Sequence, residues 1–176
     1  MAAAVASGSF AEAVDRCLAD AGCPLVSPEA FTVSDPAVDL SRAYWHWFED
    51  PLGPRVHLVE SVYTPWTRAP NPALPFARER GWLGGDSAEH LADLYRTLGL
   101  AVPEEWAHAP DHLALELEFL ALLIEHGTPA QEDQFLRQHL SWLPDLVGGA
   151  EAAGVDGFYG AALRFAAAVV DWDLRR

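Results

Sequence analysis

The stretch Ala109 to Leu120, APDHLALELEFL, sets an aspartate beside a histidine with two glutamates close behind. Asp111, His112, Glu116 and Glu118 are the residue types of a metal site, of an acid–base pair, or of the polar mouth of a buried helix. A metal helix needs its ligands on one face. His108 and His112 are four apart, as are His112 and Glu116, but residues 108–112 read HAPDH and lack the glutamate of an H-E-x-x-H zinc helix. Pro110 also interrupts a continuous helix across that span. His46, His57, His90, His126 and His139 show no ligand spacing. Neither a metal nor another cofactor is expected.

Nucleophilic catalysis leaves no signature either. The chain has no G-x-S-x-G elbow, no glycine-rich phosphate loop and no dinucleotide fingerprint. Ser61, in Glu60-Ser61-Val62-Tyr63, lacks the surroundings of an activated serine. An acid–base hydrolase using Asp111 and His112 stays open as an alternative, although nothing singles out its partner glutamate. The structural reading is simpler. From Leu113 to Ile124 only Glu116 and Glu118 are polar, so this helix is apolar on nearly every side and is expected to be buried. Asp111, after Pro110, stands where an N-cap belongs, and the helix dipole favours its charge there.

The elements that must position these residues are helical almost throughout. The pattern predicts helices at 9–21, 36–49, 86–98, 111–126, 129–141, 145–153 and 157–172. Ser27-Pro28 and Asp35-Pro36 read as caps followed by proline at the first helical position. Thr128-Pro129-Ala130-Gln131 reads as a capping box, and Asp156 as the cap of the last helix. Arg55 to Tyr63 is mildly strand-like and reads as a loop or a short helix. A proline-rich stretch at about 50–85 carries no long element, and a loop of that length in a compact domain is often functional. The expected fold is all-α: a single-domain helical bundle of about six to seven helices over residues 1–176, with that long loop.

The chain carries 26 acidic and 11 basic residues, a net charge of −15, and every base is arginine. Such acidity disfavours nucleic acid and anionic membranes and steers a basic partner. Cys17 and Cys23 are five residues apart by intervening count, neither a redox pair nor a zinc knuckle, and read as buried free thiols of a reducing cytoplasm. The N-terminus lacks the pattern of a signal peptide, and no apolar run reaches the length of a membrane helix. A binding function fits best. Glu104, Glu105, Asp111, Glu116, Glu118 and Glu125 crowd one region without a base, with Glu49, Asp50 and Glu60 upstream near Tyr44, Trp45, Trp47, Phe48, Tyr63 and Trp66. Acidic groups beside aromatic faces suit a peptide that carries arginines next to apolar residues. Tyr44, Trp47 and Phe48 at i, i+3 and i+4 equally suit a core stripe.

Four segments in order resemble the TorD/DmsD/NarJ family of molybdoenzyme chaperones. They are Glu60-Ser61-Val62-Tyr63 after the aromatic run Tyr44-Trp45-His46-Trp47-Phe48, then Leu94 to Leu100, then Pro110-Asp111-His112-Leu113 into Glu116-Leu117-Glu118-Phe119-Leu120, then Phe135 to Leu143 with Phe158-Tyr159 beyond. The resemblance spans about residues 40–172. It implies an all-helical cytoplasmic chaperone, not an enzyme, that binds the N-terminal twin-arginine leader of a DMSO-reductase-family enzyme. Such a chaperone assists cofactor insertion and holds back export until the client is folded. It implies a client-peptide surface at Asp111, His112, Ser61, Val62 and Tyr63, with Tyr44, Trp47 and Phe48 as further candidates. The charge argument adds Glu60. The partner would be a molybdoenzyme catalytic subunit, with no nucleic acid and no stable membrane insertion, and the chaperone a monomer or a helix-exchanged dimer. The segment before the aromatic run is shorter than the family's usual one, and 64–85 is richer in proline. A structural accessory subunit of a reductase complex is the alternative to a chaperone.

Overall fold

The computed structural model describes residues 39–175. The expected helix at 9–21, the caps at Ser27 and Asp35, and both cysteines lie outside the described residues. The described chain is all-α, as the sequence predicts. Its α-helices are α1 (Leu40–Tyr44), α2 (Glu60–Tyr63), α3 (Asp86–Thr97), α4 (Leu113–His126), α5 (Pro129–His139), α6 (Leu143–Ala153) and α7 (Gly157–Asp173). No helix among the described residues is long and apolar enough to cross a membrane. Contacts divide the chain into two compact units, one holding residues 57–142 and the other the segments on either side.

In the flanking unit, Asp39 caps α1 by accepting the Ser41 and Arg42 N–H groups. The helix expected to run to 49 changes pitch at Trp45 and continues to Glu49 as a π-helical turn. Phe48 is buried there, and Tyr44, Phe48 and Tyr159 form a mutual aromatic cluster with centroids 5.1–5.8 Å apart. The Tyr159 hydroxyl donates to the Leu40 carbonyl at 2.9 Å, tying α7 to α1. Helices α6 and α7 form a hairpin around Leu143, Leu146, Ala150, Leu163 and Val170, all buried. Asp156 holds the N-cap position of α7, yet its side chain makes no capping hydrogen bond.

In the 57–142 unit, the core is Leu91, Tyr95, Phe119, Phe135, Leu136 and Leu140. Its aromatic members touch in series, Tyr95 to Phe119 at 5.4 Å and Phe119 to Phe135 at 5.0 Å. The capping box opens α5 as read: Thr128 Oγ1 accepts the Gln131 N–H while Gln131 Oε1 accepts the Thr128 N–H. The long loop is irregular after α2, but it folds on itself. Trp66 and Thr67 donate to the Glu79 and Ala77 carbonyls, and Phe76 sits against both Trp66 and Trp82. Asp86, at the start of α3, fastens this loop by accepting from the Thr67 hydroxyl and the Arg68 N–H, both at 2.8 Å.

Candidate functional site

Two segments singled out by sequence, ESVY and APDH, meet in the 57–142 unit. The chain arrives extended at Val59, which bridges antiparallel to His112. Leu113 donates to the Leu58 carbonyl at 2.8 Å and Glu60 to the Asp111 carbonyl at 3.0 Å. This short ladder orients the one-turn helix α2. No side chain caps α2 from the residue before it. Its free N–H at Ser61 is met instead by Asp111 Oδ2 at 2.8 Å.

That bond revises the local reading of Asp111. The residue capping α4 is His112, whose Nδ1 accepts the Ala114 N–H at 3.1 Å. Asp111 sits one position too early for that role and turns back to serve α2. Adjacent in sequence, the two side chains therefore have separate partners and are not arranged as an acid–base couple. Burial, reinforced by the charge of His108, lowers the His112 imidazole to about 4. Trp106 closes over its ring edge-on, centroids 4.0 Å apart.

Beneath the mouth lies a polar cluster that spacing did not reveal. Glu60, Asp111, Glu116 and His139 are 1, 0, 0 and 3 % exposed. His139 Nδ1 contacts Glu60 Oε2 at 2.8 Å, and its Nε2 contacts His90 Nδ1 at 2.7 Å. The Trp142 indole N–H is shared between Glu116 Oε2 at 3.1 Å and the His139 carbonyl at 2.7 Å. Burial raises the Glu60 carboxyl, with the His139 hydrogen bond opposing it. Burial raises Glu116 further, and the nearby charge of Glu60 adds to the effect. Burial and the charge of His139 lower the His90 imidazole. A cavity of about 200 Å³ opens on Glu60, His90 and His139, with Arg68, Ser87 and Gln138 around it.

Glu60, Ser61 and Asp111 are buried and bonded, His112 is at the margin of burial, and Val62 and Tyr63 are partly exposed. Ser61 Oγ accepts the Gly84 N–H at 3.1 Å, and Tyr63 stacks on Trp142 at 5.2 Å. Tyr44, Trp47 and Phe48 belong to the flanking unit, where Phe48 is a core residue and Trp47 meets His46 edge-on. His139, His90 and Trp142 were missed as site residues. One signal was available: Glu116 stands three residues from both Leu113 and Phe119, so it shares their buried face.

The family described as nitrate reductase delta subunit matches residues 13–148, which include both motifs. A curated protein named Chaperone protein TorD from Vibrio cholerae is 35% identical over 117 residues, covering 57% of this chain and 53% of that protein. Its namesake in Vibrio parahaemolyticus is 32% identical over 103 residues, covering 49% of this chain and 48% of that protein. The Vibrio vulnificus protein of the same name is 30% identical over 108 residues, with 52% and 50% covered. The chain spans about half the length of the curated relatives it matches. No solved structure matches it.

Proposed function

Because this chain belongs to the nitrate reductase delta subunit family, we propose that it is a cytoplasmic maturation chaperone for a molybdenum enzyme of the DMSO-reductase class. It binds the client's N-terminal, twin-arginine leader, supports cofactor insertion, and withholds the leader from export until the client has folded. The motif resemblance to the TorD/DmsD/NarJ chaperones agrees with this membership, and relatives named as TorD chaperones support the reading. The observation that carries it is the joining of ESVY to the APDH mouth by the Ser61–Asp111 bond, inside the matched region.

In this reading Asp111 and Glu60 are positioning residues, because they are buried and already bonded. Contact with the leader falls to Val62, Tyr63 and His112. Tyr44 and Trp47, partly exposed in the flanking unit, stand as separate further candidates for apolar contact, while Phe48 is packed into that unit's core. Client arginines meet exposed acids of the same unit, such as Glu104 and Glu118. Apolar burial supplies most of the affinity, and the charge of −15 speeds encounter and selects a basic peptide. The leader is disordered when free, so binding must offset the cost of ordering it. The work done is binding rather than turnover, and Asp111 and His112, each engaged elsewhere, supply no hydrolytic couple.

The family's description as a subunit favours a second reading, a structural part of a reductase complex. Affinity capture of the tagged chain from its own cells separates the two. A chaperone is recovered with the cofactor-free, leader-bearing client and released from the mature enzyme. Stable recovery with the mature, cofactor-loaded enzyme contradicts the chaperone reading.

A further inference from the structure

We propose that Glu60, Glu116 and His139 form a binding site for a divalent transition ion of the zinc class. One donor atom from each lies within 4.8 Å of the other two, and all three residues are buried. The set mixes one imidazole with two carboxylates, which suits zinc and its neighbours and leaves a fourth position for water or another ligand.

Charge balance motivates the assignment. Three buried acids, Glu60, Asp111 and Glu116, share one small region, and the ion-pair partner found among them in the described residues is His139. Buried carboxylates without compensating positive charge are costly. Two of their oxygens, Glu116 Oε1 and Asp111 Oδ1, are buried without a hydrogen-bond partner. Protons, ordered water or a metal ion can meet these oxygens. A proton on Glu116 directed at Glu60 satisfies one orphan oxygen. A cation bound by Glu60 and Glu116 offsets both of their charges at once.

The surroundings resemble those of a metal-bound histidine. His139 Nε2 contacts His90 Nδ1 at 2.7 Å, in the position where the second nitrogen of a ligating ring commonly meets a carboxylate, carbonyl or water. With an ion bound, His139 would donate from Nε2 and turn its Nδ1 lone pair to the metal; without one, that Nδ1 lies at hydrogen-bond distance, 2.8 Å, from Glu60 Oε2. Two such atoms on one zinc ion stand about 3.3 Å apart, so loading requires a small opening. The cavity that reaches Glu60, His90 and His139 supplies an entry path.

The test uses the full chain, stripped with EDTA and titrated with Co²⁺ by visible absorption, then competed with Zn²⁺. The expected result is a saturable one-equivalent step with the bands of a low-coordinate cobalt ion, displaced by zinc. Glu116→Gln should remove that step while the far-ultraviolet spectrum stays helical. His90→Ala should keep it, weakened about 10–100-fold, and the exposed control His126→Ala should leave it unchanged. Absence of the step in the wild type, or its full persistence in folded Glu116→Gln, overturns the site. Should Glu116→Gln fail to fold, imidazole ¹⁵N spectra of the wild type decide. Zinc must then move His139 Nδ1, and a resonance that stays put overturns the proposal.

Discussion

The backbone N–H of Ser61 donates to Asp111 Oδ2 at 2.8 Å, joining residues fifty positions apart in a fully buried contact. It fixes the start of α2 against the mouth of α4, and two substitutions grade its contribution to stability. Asp111→Ala strips a charged acceptor from a buried donor and should cost about 1.5–3 kcal/mol. Asp111→Asn keeps an acceptor of the same shape and should lose less. Urea denaturation of both variants checks the order, and an Asn variant no more stable than Ala would contradict it.

The imidazole of His112, held down at about 4 by burial and by His108, gives stability a defined pH dependence. An unfolded histidine titrates near 6.5. Between those two values the unfolded chain takes up a proton that the folded chain refuses. This contribution is therefore fully present above about 6.5 and is lost as pH falls toward 4. His112→Asn retains a capping acceptor without a titrating ring. Unfolding free energies at pH 4.5 and 7.5 should differ less in this variant than in the wild type; equal differences would count against the assignment.

Packing around Leu140, which is 0 % exposed, sets the stability of the 57–142 unit. Leu140→Ala should cost about 2–5 kcal/mol. Ile124→Ala, at a position 62 % exposed, should stay within about 0.5 kcal/mol. Thermal melts of the pair compare a core truncation with a surface one of similar chemistry.

Gly85 precedes α3 with φ +87°, and a Cβ there would stand 2.3 Å from the Trp66 carbonyl oxygen. Gly99 also has positive φ, +70°, but open space around it. Gly99→Ala should therefore cost about 1 kcal/mol from backbone conformation alone. Gly85→Ala should cost clearly more, because Trp66 must move and its backbone bonds to Glu79 and Asp86 with it. Chemical denaturation of the two variants tests the difference.

What could be read from sequence follows from how local its cause is. The box at Thr128 and Gln131 is closed within three residues, and it opens α5 where the sequence placed it. Helices α3, α4 and α7 follow their apolar periodicity to within two residues. Asp111 misled because its local environment favours capping, while a donor fifty residues upstream claims its carboxylate. His112 took the vacant role. The cluster of Glu60, Glu116 and His139 is drawn from three helices, so no spacing within one segment encodes it. The change of pitch at Trp45 likewise has no counterpart in the Tyr44-Trp47-Phe48 pattern, which fits a regular helix equally well.

Recognition of a basic leader at the proposed ESVY–APDH surface is measured by calorimetric titration. The titrant is a leader peptide with paired arginines followed by an apolar segment. Saturable binding is expected, weakening as salt rises and falling further when both arginines become alanine. Tyr63→Ala, with its fold verified, should lose about 1–2 kcal/mol of affinity, as a contact anchor would. Equal affinity for the arginine-free peptide, together with unchanged binding by Tyr63→Ala, would contradict it.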